Sequence, residues 1–353
     1  MEEENFEEQI DFNEVVDALL DSANIFPAKF LDRLSGIEDL ELEQLTETWP
    51  QVSPLRRQRL LEDLEQLADT SYIVDFDAVF KLGLEDENPQ VKIVAIRGLW
   101  ENDDPNVAVS LANILKNDAD ADVCAQAASG LGKFLFLGEL GDLSQNLTDQ
   151  ITKQLIAVCT GDEPEQVRRK ATEALGFSSS PQVPAIIENA YNAQKEDWLV
   201  SAMIAMGRSA NSQWIPHIIE NLSHDELQVR VEAAQSAGLL AAQETIPHLL
   251  QMIDDPEEDV KLAAIWALSE IGGLDARAAL EGLIKNARDD SEIDFLEEAL
   301  ENLDFNEVNI NFELLELSEN DEELMEDEED PDFEFEEEEN DDDDEYAEWD
   351  EED

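Results

Sequence analysis

The sequence predicts an all-α, right-handed solenoid of about six to seven helix pairs, with a helical N-terminal cap and a disordered acidic C-terminal tail. Three observations carry this prediction. An apolar anchor followed by small residues recurs at a period near 31 residues. Apolar positions in that region follow the helical period, with no alternation of the strand kind. Acid is concentrated at the two ends, where little apolar surface offsets chain entropy. The expected boundaries are an acidic disordered start over 1–11, the cap over 12–70, and repeats over 71–303. A candidate docking segment over 304–317 and the disordered tail over 318–353 follow.

Residues 1–23 hold nine Asp/Glu and no basic residue. The opening Met1-Glu2-Glu3-Glu4 is acidic where a secretory signal would be basic. Within the cap, Ser53-Pro54 opens a helix whose first turns carry Arg56, Arg57 and Arg59, a dense cationic cluster. These arginines are candidate partner contacts. The alternative is surface pairing with Glu62, Asp63 and Glu65 at helical spacing.

The repeats are anchored at Val91, Val123, Val167, Trp198, Val229 and Val260, which lie 32, 44, 31, 31 and 31 residues apart. After Val167 come Ala171, Ala174, Leu175 and Gly176; after Val229 come Ala233, Ser236, Ala237 and Gly238. Offsets of four, seven and eight fall on one helical face, and small residues there admit a close neighbour. The 44-residue interval carries an insertion near Phe134 to Asn146, with Gly130, Gly132, Gly138 and Gly141 expected in flanking turns. Pro89, Pro164 and Pro256 mark first turns of anchored helices. A second amphipathic helix precedes each of the later anchors, as in Val107 to Lys116 or Ile151 to Thr160. A degenerate last copy is expected over Asp289 to Leu303, anchored on Ile293 or Phe295.

These residues resemble the HEAT family, in its short bacterial, phycobilisome-lyase-type form. The motif is a turn Asp, Val-Arg or Val-Lys shortly after it, then Ala-x-x-Ala-Leu-Gly. It reads Asp162-Glu163-Pro164-Glu165-Gln166-Val167-Arg168 ending in Ala174-Leu175-Gly176, and recurs as Asp255-Pro256 with Val260-Lys261 and as Asp86 with Val91-Lys92. The resemblance implies a ladder in which each turn acid bonds a cation of the adjacent repeat. Asp86, Asp118, Asp162 and Asp255 match the acid position; Lys92, Arg168, Arg230 and Lys261 match the base position. Cys124 and Leu199 lack the cation, and Ala193 and His224 lack the acid, so stacking there is expected to rest more on apolar contact. Residues from Trp49-Pro50 to Leu67 also resemble the front end of bacterial HEAT proteins.

With 89 Asp+Glu against 21 Lys+Arg, the net charge is −68. No basic surface is available to track nucleic-acid phosphates or an anionic membrane. The most apolar short run, Phe134 to Leu137, is far too short to cross a bilayer. Cys124 and Cys159 form no disulfide framework and no metal spacing, which suits a reducing, cytoplasmic setting. His217 and His248 follow Ile-Pro one repeat apart, and Ala185 fills the same place in the preceding repeat, so they read as helix-start residues. One enzyme group built on HEAT repeats hydroxylates a protein lysine with His-Glu pairs around iron; this sequence contains no His-Glu pair. No catalytic residue, cofactor site or metal site is expected.

The tail holds 29 acidic residues and no Lys or Arg over 304–353, leaving a net of −39 for residues 1–303. A halophile's solvated surface is also acidic, but concentration at the ends favours tails. Phe333, Phe335, Tyr346 and Trp349 lie within the acid and resemble linear motifs that anchor on a basic partner. The functional expectation is a non-enzymatic, monomeric scaffold or adaptor that binds a protein with a basic face. Two alternatives stand beside it: an accessory subunit like the bilin-lyase HEAT proteins, and an acidic chaperone for basic nucleic-acid-binding proteins.

Overall fold

A computed structural model describes residues 10–306 except Tyr72, Arg288, Asp289 and Ser291. The expectations for residues 1–9 and 307–353, including Phe333, Phe335, Tyr346 and Trp349, lie outside the described residues. The chain divides into two units, and Met1–Asp304 holds the helical array. Among the described residues there are helices, turns and loops but no strand, and no helix is long and apolar enough to cross a membrane.

The N-terminal region begins with α1 (Phe12–Leu20), capped by Asp11, whose carboxylate accepts from the Asn13 N–H at 3.0 Å. Its apolar face buries Phe12, Val15, Val16 and Leu19. α2 (Asp39–Thr48) and α3 (Pro54–Thr70) follow. α3 puts Leu60, Leu61 and Leu64 into the core. It also packs on α5, continuing the stack of repeats.

The repeats are the pairs α4 (Asp77–Leu84) with α5 (Pro89–Gly98), α6 (Pro105–Asn117) with α7 (Ala121–Leu140), and α8 (Gln145–Thr160) with α9 (Glu165–Leu175). Next come α10 (Val183–Tyr191) with α11 (Glu196–Arg208), α12 (Ile215–Asn221) with α13 (Leu227–Leu239), and α14 (Ile246–Met252) with α15 (Glu258–Ile271). α16 (Leu274–Asn286) and a helix over residues 292–304 close the array. The second helices pack in one continuous series, α5 on α7, α7 on α9, α9 on α11, α11 on α13 and α13 on α15. Val91, Val123, Val167, Val229 and Val260 are all buried in that series, while Trp198 is half-buried.

Small residues set the spacing of this layer. A Cβ placed on Gly176 would lie 2.7 Å from the Ala205 carbonyl oxygen, so the α9 end reaches α11 backbone to backbone. Burial of these apolar faces, at roughly 25 cal/mol per Å², is the main force holding neighbouring repeats together.

Three local expectations are corrected. The insertion lengthens α7 to 20 residues, and Gly130, Gly132 and Gly138 lie inside that helix instead of in flanking turns. Only Gly141, at φ 88°, ends it. Gly138 is small because Thr148 of α8 crosses there; an added Cβ would meet its hydroxyl at 2.4 Å. Pro89 opens α5 behind the Asn88 cap, but Pro164 is itself the N-cap residue of α9, and Pro256 lies in the turn before α15. The last copy is anchored on neither Ile293 nor Phe295. Leu296, Ala299 and Leu303 are the buried residues, and Phe295 is 36% exposed.

Candidate functional site

The turn between the two helices of a pair places one carboxylate beside the next-lower repeat's cation. Asp86 is the most buried example. Its Oδ1 accepts from the Asn88 N–H at 2.8 Å, which fixes the turn into α5. Arg57 reaches it from α3, with Nε 2.9 Å from Oδ2 and Nη2 3.1 Å from Oδ1. The Trp49 indole N–H donates to Oδ2 at 2.7 Å, and Arg57 Nη1 donates to the Trp49 carbonyl at 2.9 Å. Two further rungs have the same form. Lys92 Nζ lies 2.5 Å from Asp118, which accepts from the Asp120 N–H. Arg230 holds Asp255 through Nε at 3.0 Å and Nη2 at 3.2 Å, and Asp255 accepts from the Glu257 N–H.

Burial disfavours the charged carboxyl of Asp118. The Lys92 ammonium and the backbone N–H of Asp120 outweigh this and hold its pKa below the usual carboxylate value. Asp255 shows the same balance: burial pushes up, while the Glu257 N–H and Arg230 pull down further.

The arrangement corrects the reading of the arginine cluster. Arg57 is buried and is the base of the first rung, so it is not open to a partner. Arg56 donates to the carbonyls of Asp21 (2.7 Å) and Asn24, pinning the loop after α1. Arg59 alone remains exposed. Glu65, expected to pair locally, instead holds Arg97 of α5 through two bonds, at 2.8 and 2.6 Å.

Three of the ladder assignments do not form rungs. Asp162 is exposed, and the base position that corresponds to it in the preceding repeat is Cys124, which has no charge to offer; no ion pair reaches Asp162 among the described residues. Lys261 pairs within its own helix with Glu258 at 3.4 Å. Arg168 meets Ala193 where an acid would stand, and its guanidinium lies 5.6 Å from the centre of the Trp198 ring instead. Its Nε is buried without a hydrogen-bond partner.

The middle junctions add a polar set of their own to the apolar contact expected there. Glu173 of α9, almost fully buried, accepts from Ser201 Oγ of α11 and from Lys170 Nζ, both at 2.7 Å. Arg208 donates to the Glu173 carbonyl at 3.1 Å and lies over the Phe177 ring. Ser236 of α13 donates to the Met203 carbonyl at 2.7 Å. Glu232 sits beside this group; burial, and then the Glu173 charge, push its pKa up.

The residues weighed for chemistry are placed as follows. His217 is half-buried, edge-on to the rings of Tyr191 (4.9 Å) and Trp214 (5.4 Å), and His248 is exposed at the start of α14. Burial pushes the Cys159 thiol up to about 11, and burial together with Asp118 pushes Cys124 up, so neither forms a ready thiolate. Among the described residues no three His, Cys, Asp or Glu side chains are grouped to hold a metal ion.

Residues 215–304 match the family model for HEAT repeats. Among solved structures, E. coli YibA aligns at 18% identity and TM-score 0.42, over 77% of this chain and 96% of its own. Human deoxyhypusine hydroxylase aligns at 18% identity and TM-score 0.33, over 74% and 96%. An engineered protein aligns at 17% identity and TM-score 0.34, over 57% and 97%. At these scores the alignments carry no argument about activity. Among curated proteins no sequence matches this chain.

Proposed function

With HEAT repeats over residues 215–304 as the premise, we propose that the chain is a non-enzymatic interaction scaffold or adaptor for a protein with a basic face. HEAT repeats generally mediate protein interactions. The observation that carries the finer reading is how the scarce cations are spent. Arg57, Lys92 and Arg230 are consumed in rungs. Arg33, Lys81, Arg97, Lys133, Arg169 and Lys195 are each paired with a carboxylate. The surplus acid of residues 1–303 is therefore largely uncompensated at the surface, and the tail adds to it. Such a field speeds encounter with cationic proteins and turns away nucleic acid and anionic membranes. In this reading the protein acts as a monomer in the cytoplasm, and the tail over 318–353 recruits the partner.

The test is affinity purification from the native host at low salt, followed by association kinetics with the captured protein. Full-length chain and a variant lacking 318–353 are compared at low and high salt. The expected result is a basic partner, slower association without the tail, and a difference that shrinks as salt rises. Faster or tighter binding by the shortened chain would make the tail autoinhibitory. Capture of neutral or acidic proteins without salt dependence would reject the reading.

A further inference from the structure

A cavity of about 390 Å³ adjoins the intact Arg230–Asp255 rung, where the acid is already in place; one of about 260 Å³ adjoins the broken rung at Arg168, between α8, α9, α10 and α11. Arg168 and the Trp198 ring form part of its wall, and Ala193, at the acid position of the turn, forms another part. Ile186 and Ala190 of α10 add apolar surface. Glu165 also borders it, but Lys195 takes both its oxygens, at 3.0 and 2.7 Å. That ammonium holds Glu165 well ionised, with its pKa below the usual value. Arg168 is left with an aromatic face and no ion pair among the described residues, and Glu165 acts on it only through space. Where the same position does have an acid, the arginine uses it through two nitrogens, as Arg57 does with Asp86 and Arg230 with Asp255. The buried Nε atoms of Arg57 and Arg230 also lack an aligned hydrogen bond, but they lie 2.9 and 3.0 Å from a carboxylate oxygen, and Arg168 has no such ion pair among the described residues; its planar guanidinium matches a carboxylate in shape and charge.

We propose that this cavity binds a carboxylate carried on a short apolar stem, which supplies from another molecule the acid that the repeat lacks at Ala193. The carboxylate takes the place against Arg168 that Asp86 and Asp255 take in their own rungs, and the stem lies along Trp198 and α10. The stem belongs to a small free acid or to an acidic side chain of a polypeptide, and both present the same group. This site goes beyond the basic-partner reading and does not depend on it.

The experiment uses the full chain labelled with ¹⁵N, in about 0.15 M salt so that the protein's own field is screened beyond roughly 8 Å. The Arg168 Nε–H signal is assigned by its loss in Arg168→Lys. Sodium butyrate is the probe, with butyramide as its uncharged counterpart. The expected result is a saturable shift of that signal with butyrate and none with butyramide. In Ala193→Asp the cis carboxylate competes, and butyrate affinity falls by roughly tenfold or more, as expected for loss of one charge-assisted contact. Ala193→Asn, of similar size without charge, keeps the response. An acetylated Ala-Glu-Ala amide that binds more tightly than butyrate assigns the stem to a polypeptide; weaker binding assigns it to a small acid. The proposal is overturned if butyrate leaves the signal in place, if butyramide moves it equally, or if Ala193→Asp binds butyrate undiminished. It is also overturned if inorganic phosphate shifts the signal at lower concentration than butyrate. Should Ala193→Asp not fold, the butyrate, butyramide and phosphate titrations of the unaltered chain decide by themselves.

Discussion

Replacing Asp86 by Ala should be among the most damaging single changes in the molecule. The Asp86 side chain is 1% exposed and that of Arg57 is 9%. The carboxylate accepts from Trp49 Nε1, from Arg57 and from the Asn88 N–H. Its removal leaves a buried guanidinium whose remaining acceptor is the Trp49 carbonyl. Breaking a buried pair from one side costs about 3–5 kcal/mol, because the surviving charge stays desolvated. Removing both charges is a different matter: the double variant Arg57→Leu with Asp86→Leu should recover the part of the loss due to the stranded guanidinium, while the Trp49 and Asn88 N–H groups still lack their acceptor. Asp162→Ala is the internal control. It occupies the same turn position but is exposed and unpaired among the described residues, so it should shift stability by less than about 0.5 kcal/mol. Urea unfolding followed by circular dichroism gives the three values. Hydrogen exchange then reports whether protection is lost first in α3 to α5, as nearest-neighbour coupling requires. The reasoning fails if Asp86→Ala costs no more than Asp162→Ala, or if the double variant is as unstable as the single one.

Arg230→Ala should cost about 1–3 kcal/mol, since it loses Asp255 and two turn carbonyls. Arg168→Ala should cost under about 1 kcal/mol, the worth of its Trp198 contact; equal losses in thermal melts would contradict the broken rung. Two variants should show opposite pH behaviour in melts against the parent. Asp118 has a depressed folded pKa, so its rung stabilises above the unfolded value near 4 and fades as pH falls through the folded one. Asp118→Asn is accordingly destabilised at pH 7, with the deficit closing only below about pH 4. Glu232 has a raised folded pKa, so its charge weakens the fold at neutral pH, and Glu232→Gln should melt higher at pH 7 with a gain that vanishes on acidification. Iodoacetamide should label Cys124 and Cys159 slowly in the native protein and rapidly in urea; fast native labelling would refute the raised thiol values. Gly176→Ala should cost about 1–3 kcal/mol in urea unfolding, because its Cβ would press on the Ala205 carbonyl.

The repeat period was legible because a buried anchor must return to the same face in each copy; Val91, Val123, Val167, Val229 and Val260 are all at or below 1% exposure. The arginine cluster was misread because a helix face does not reveal which arginine points inward. Part of the signal was nevertheless present. Arg57 precedes Asp86 by 29 residues, close to the 26 between Lys92 and Asp118 and the 25 between Arg230 and Asp255. Extending the ladder by one spacing toward the N-terminus reaches the arginine cluster, but the nearest cation on that spacing is Arg59, so the spacing alone does not single out Arg57. The α7 extension was misread because glycine was taken as a turn former. At Gly138 the demand comes from Thr148 on another helix, which no local pattern records. The Glu173 and Arg208 contacts escaped for a similar reason. Charges at helix positions facing a neighbour look like solvated charges until the neighbour is placed.

The ladder and the middle network solve one physical problem at different places. Apolar burial between stacked helices has little directional preference, so polar contacts fix the register of one repeat against the next. At the first two junctions, and again between α13 and α15, a turn carboxylate and a helix cation do this. From α7 to α13 the turn pairs are incomplete: by repeat position Cys124 corresponds to Asp162, Arg168 to Ala193 and Leu199 to His224, and none of these joins a cation to an acid. From α9 to α13 register is set instead by Ser201 on Glu173, Arg208 on the Glu173 carbonyl and Ser236 on the Met203 carbonyl, all within the helix layer. Moving that task off the turns frees their edge from a structural role. A cation retained there without its acid, half-buried against an aromatic ring, is then available to bind something other than its own fold.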